Sequence, residues 1–115
     1  MNIEEFYAKI SGNYQEALTR MLRESLVERF VLKFANDKSF AELEINLQAG
    51  NTELAFQAAH SLKGVCKNLA FTKLADSSSE ITELLRAGKL EAAKIYFPLV
   101  KAEYDIVIEA LGKLS

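Results

Sequence analysis

The stretch "AAHSLKGVCKNLA", residues 58 to 70, holds a histidine, two lysines and a glycine at spacings that could do chemistry. His60 is the only histidine in the chain, and an imidazole is a nucleophile able to carry a transferred group near neutral pH. On a helix each residue advances about 100°. With His60 set at zero, Gln57, Lys63, Gly64 and Lys67 gather around it, while Leu54, Ala55, Ala58, Ala59, Leu62, Val65, Cys66 and Leu69 fill an arc centred nearly opposite. The spacing therefore predicts that His60 faces solvent. Gly64, inside the helix, costs about 1 kcal/mol relative to alanine. One turn after His60 on the same face, it removes a side chain that would shield the imidazole. No acidic residue occurs between Leu54 and Ala75, whereas Lys63, Lys67 and Lys73 do. Such ammonium groups can neutralise a phosphoryl group placed on the histidine. Phe56 and Phe71 also fall on the outward arc, and with Gln57 they suggest a docking surface for a partner. Phe71, at the helix end, either joins that surface or turns inward.

The elements that must position these residues are all helical, because apolar residues recur at helical spacing and no stretch alternates over the length of a strand. A short first helix carries Ile3, Phe6, Tyr7 and Ile10 and ends at "SGN". A longer one runs through Leu18, Met21, Leu22, Leu26 and Phe30 toward Ala35, after which Asp37 is placed to cap a segment with Phe40, Leu43 and Leu47. Gly50 suits the left-handed end of that segment, and Asn51 or Thr52 caps the histidine helix. Thr72 caps the next helix, which turns Leu74, Ile81, Leu84 and Leu85 inward and stops at Gly88. The last helix carries Leu90, Ala93, Phe97, Val100, Tyr104, Val107 and Leu111 in alternating steps of three and four. Pro98 interrupts this stripe without shifting its phase, so a kinked but single helix is predicted. The expected fold is all-α: an antiparallel four-helix bundle with a short additional N-terminal helix, in one domain over residues 1–115.

Composition narrows the function. The chain has 115 residues, half of them apolar and a quarter charged, with net charge −2, so no global charge advertises nucleic acid. The N-terminus "MNIEEFYAKI" has glutamates where a secretory signal has lysines, and no apolar run approaches the roughly 18 residues of a membrane span. A cytoplasmic protein without membrane partners is expected. One cysteine and one histidine are too few for a zinc site, and neither a Gly-rich nucleotide loop nor a carboxylate cluster for magnesium is evident.

"HSLKG" followed by "NLA", with Leu74 and then "EITELLRAG", resembles the histidine-containing phosphotransfer (HPt) domain. The resemblance extends upstream through "FANDKSFAELEINLQAGNTELAFQAAHSLKG". It implies that His60 is the phosphoacceptor, Lys63 the lysine near the phosphoryl group, and Gly64 the residue that leaves room for it. Lys67 joins them from the helical wheel. The family pattern usually has glycine where Ala70 stands and commonly an acidic residue where Thr82 stands. The resemblance further implies a phosphocarrier rather than an enzyme with its own active site, taking no cofactor. Its partners would be a response-regulator receiver domain, which supplies the aspartate and magnesium, and a hybrid sensor histidine kinase. A free-standing protein is expected from the initial methionine and the form of the chain's end, and a monomer is expected. The alternatives are an HPt-like docking module that carries no phosphate and the excised first domain of a chemotaxis-type kinase.

Overall fold

The computed structural model describes residues 1–114, and its elements are all helical: α1 (Ile3–Lys9), α2 (Tyr14–Met21), α3 (Glu24–Lys33), a 3-10 turn (Phe34–Asn36), α4 (Ser39–Ala49), α5 (Thr52–Asn68), α6 (Thr72–Arg86) and α7 (Leu90–Leu111). Short connections make α4 to α7 antiparallel neighbours. They close into a ring in which α5 packs on α4 and α6, and α7 packs on α6 and α4. This is the expected four-helix bundle. Its interior holds Leu43 and Leu47 of α4, Ala55, Ala59 and Leu62 of α5, Ile81 and Leu85 of α6, and Ala93, Val100 and Val107 of α7.

Local signals explain most boundaries. Asn2 and Glu5 form a reciprocal capping box on α1. Asn13 and Asn51 accept the backbone N–H groups of Glu16 and Leu54 and so cap α2 and α5. Gly50 and Gly88 take left-handed φ values of 74° and 73°, a conformation glycine adopts without steric cost. Asp37 does not take the expected N-cap position of α4, which Lys38 occupies without a side-chain cap; Asp37 instead accepts from the Ser39 N–H two residues on, at 2.9 Å. Pro98 lies inside α7, which continues through it as one helix.

Three further expectations need correction. The long second helix is two helices, because Leu22 adopts φ 76° and Arg23 is extended. The break turns Val27 and Val31 into the core and leaves Leu22 and Phe30 exposed. Thr72 does not cap α6; it is the first helical residue, and its hydroxyl points back to the Ala70 carbonyl at 3.4 Å. Phe71 is 1 % exposed and is no part of a docking surface. Its ring lies 5.3 Å from that of Phe34 and 5.8 Å from those of Phe6 and Tyr7. Aromatic packing among four rings outweighs the direction that an extended helical wheel would give it.

Candidate functional site

His60 stands in the middle of α5, and its side chain is exposed. Gln57, Gly64 and Lys67 are exposed with it, and Lys63 and Phe56 are half-buried. The outward direction of the histidine follows from what lies behind it: Ala55, Ala58, Ala59, Leu62, Cys66 and Leu69 are buried on the opposite side of the helix. The buried arc is narrower than the apolar one. Leu54, at one edge, remains 46 % exposed, and Val65 is half-buried beside an apolar cleft that Met21, Phe30 and Phe34 also line.

Among the described residues no hydrogen bond or ion pair engages the imidazole. Its ring partner is Phe56, whose ring stacks nearly parallel to it, 5.9 Å between centroids with 14° between planes. The guanidinium of Arg86, at the end of α6, lies 5.0 Å from the centre of the same Phe56 ring, within the range of a cation–π contact. Arg86 also reaches Glu83 through its Nε at 3.1 Å. A cation, a phenyl ring and the imidazole thus form one row across α6 and α5. Sequence reasoning missed Arg86, because it lies on another helix and only the packing of α6 against α5 brings it near.

Neither Lys63 nor Lys67 is held in an ion pair among the described residues, so both ammonium groups are available to an incoming anion. Lys67, about 10 Å along the helix from His60, shares a shallow cleft with Glu16, Arg20 and Asp76. The acid-free run of sequence is therefore not an acid-free surface. A Cβ built on Gly64 would meet nothing within 4 Å. No contact among the described residues requires glycine there.

The C-terminal end of α5 is anchored by elements that sequence reasoning did not connect to it. The Arg20 guanidinium donates to the carbonyls of Lys67 and Asn68, the latter at 2.8 Å. The Tyr7 hydroxyl donates to the Leu69 carbonyl at 2.7 Å, and the Asn13 N–H donates to the Ala70 carbonyl at 2.9 Å. Burial pushes the Tyr7 phenol well above its ordinary value, with the nearby Tyr14 adding to the effect. Ala70 has φ 57°, which explains why glycine would suit this position. Thr82 is fully buried and donates to the Ser78 carbonyl at 2.6 Å.

The Hpt domain family matches this chain over residues 16–110 of 115. The chain belongs to the Hpt domain family. No curated protein and no solved structure matches it. Hpt domains are phosphocarrier modules of phosphorelays, where they work with receiver domains and kinases and have no catalytic site of their own. Among the described residues of this Hpt domain no group of three or more His, Cys, Asp or Glu side chains could hold a metal ion. No helix among them is long and apolar enough to cross a membrane. The Cys66 thiol is buried, and that burial pushes its pKa up, away from thiolate chemistry.

Proposed function

We propose that His60 is the phosphoacceptor of this Hpt domain, exchanging a phosphoryl group with the aspartate of a receiver domain. The observation that carries the reading is the exposed His60 side chain, the only histidine, standing mid-helix with no hydrogen-bond partner among the described residues and beside a glycine that no contact among them requires. In the forward step a ring nitrogen of His60 attacks the phosphorus of the receiver's aspartyl phosphate. The N–P bond forms as the acyl O–P bond breaks, the receiver keeps the freed carboxylate, and the second ring nitrogen keeps its hydrogen. The receiver brings the magnesium and the in-line geometry; this chain brings the nucleophile and needs no cofactor of its own. Lys63 and Lys67 neutralise charge on the phosphoryl group and attract an acidic receiver pocket. Gly64 lets the receiver approach, and Phe56, held under Arg86, gives the imidazole a flat wall.

The test is transfer from a radiolabelled, phosphorylated receiver to wild type and to His60→Gln, with receiver binding measured by titration. The substitution is at a surface position and changes stability by no more than about 0.5 kcal/mol. Wild type takes up acid-labile phosphate; the variant takes up none and still binds. Wild type that binds a receiver but never accepts phosphate would make the chain a docking module instead.

A further inference from the structure

Among the described residues no polar group fixes the imidazole of His60, so its direction rests on its ring contact. A helical side chain leans toward the N-terminal end of its helix, over the residue four positions earlier. For His60 that residue is Phe56, and the two rings lie nearly parallel with their centroids 5.9 Å apart, the spacing of an offset stack. Such a stack engages the face of the imidazole. Both ring nitrogens lie in the ring plane, so the contact orients the nucleophile without occupying its lone pair, as a hydrogen bond accepted by that nitrogen would. One turn on the other way, a Cβ at Gly64 would meet no atom within 4 Å. The imidazole therefore has a wall toward Phe56 and open space toward Gly64.

Phe56 is half-buried, packed along one side against the core, and the group over its ring comes from another helix. The Arg86 guanidinium lies 5.0 Å from the ring centre. Its Nε donates to both carboxylate oxygens of Glu83, at 3.1 and 3.3 Å, so the cation is itself held in place on α6. The attraction of a cation for the face of a phenyl ring acts on the ring's position.

We propose, on the footing that His60 is the phosphoacceptor, that Arg86 is a positioning residue: by holding the Phe56 ring it fixes the plane of the imidazole, so that a phosphoryl donor arriving from the Gly64 side meets the nucleophile in one orientation. Transfer needs the forming N–P bond in line with the breaking acyl O–P bond, and an orientation set before the encounter lowers the cost of that alignment. Arg86 acts through Phe56 and takes no part in the bond exchange.

A single histidine makes the test direct, because the imidazole C–H signals in a proton–carbon NMR spectrum belong to one residue. Spectra are recorded at about pH 9, where a free imidazole is neutral. Phe56→Leu removes the ring current and gives the signals of an unstacked imidazole. Arg86→Ala moves the His60 signals from the wild-type position toward those of Phe56→Leu, and Arg86→Lys, which keeps a cation over the ring, moves them less. In single-turnover transfer from a phosphorylated receiver, Arg86→Ala lowers the rate at saturating receiver by about two- to tenfold and leaves the half-saturating receiver concentration unchanged. A merely structural role would lower the urea midpoint without moving the His60 signals. Arg86→Ala with wild-type ring signals overturns the proposal, as does a wild-type rate at saturation. Arg86→Lys that behaves like Arg86→Ala overturns the cation as the cause. Wild type that takes up no phosphate overturns His60 as phosphoacceptor and this proposal with it, whereas failure of the Arg86 variants alone leaves the phosphoacceptor standing.

Discussion

Around His60 the outer face of α5 makes no hydrogen bond or ion pair with other helices among the described residues, whereas two turns further on four successive carbonyls, from Lys67 to Ala70, are all taken by residues drawn from the first twenty. Two glycines mark the contrast. A Cβ on Gly12 would come within 2.8 Å of the Tyr7 ring and 2.9 Å of the Ala70 carbonyl oxygen, so the α1–α2 connection can lie against the end of α5 only if that position is glycine. Gly64 has open space where its Cβ would be. At the tied end glycine serves the fold. At the open face glycine weakens the helix, and no contact among the described residues calls for it.

Breaking the tied end should have the largest effect on stability. Tyr7→Phe removes the donor to the Leu69 carbonyl and leaves that buried acceptor unpaired, a loss of about 1–3 kcal/mol. Urea unfolding should show it, while phosphoryl uptake in the absence of urea stays at the wild-type level. The same residue predicts a pH effect. The folded phenol sits above its ordinary value of 10.0, so the unfolded chain ionises first. The stability Tyr7 contributes is therefore full below that pH and is lost as the pH rises beyond it. Tyr7→Phe should flatten part of the alkaline loss seen with wild type; an unchanged alkaline limb would mean that other buried phenols carry it. Ala70→Gly should work in the other direction. It relieves a left-handed alanine and should stabilise the domain by about 1 kcal/mol, read as a higher urea midpoint without altered transfer.

Gly64→Ala sharpens the comparison from the open side, with the smallest change in stability and a functional cost. A solvated Cβ in a helix interior should add about 0.5–1 kcal/mol of stability, yet slow phosphoryl transfer by crowding the approach to His60. Transfer at the wild-type rate in a more stable variant would show that the glycine has no part in access.

The bundle and the direction of His60 were legible because both rest on periodicity within single helices. The break at Leu22 was not, since leucine and arginine carry no turn signal and the apolar spacing runs through them in phase. Val27 and Val31 reach the core only because the chain turns there. Phe71 lies just past the end of α5, where a wheel no longer describes the direction of a side chain, and three other rings decide it. Arg86 beside Phe56, and Tyr7 and Arg20 at the end of α5, are neighbours through tertiary packing alone. A wheel sees one helix at a time, so the histidine and its neighbours on α5 were found and those on other helices were not.

The bond between Tyr7 and the Leu69 carbonyl spans 62 positions of the chain, and those from Arg20 span 47 and 48. Most other packing joins helices that follow one another directly, α4 to α5, α5 to α6 and α6 to α7. Contacts of short sequence separation form rapidly, while distant ones must close a long loop first. During synthesis the first twenty residues leave the ribosome well before their acceptors exist. The helices made earliest are thus among the last to be fixed in place, and the tie they make at the end of α5 completes only after the histidine helix has been made.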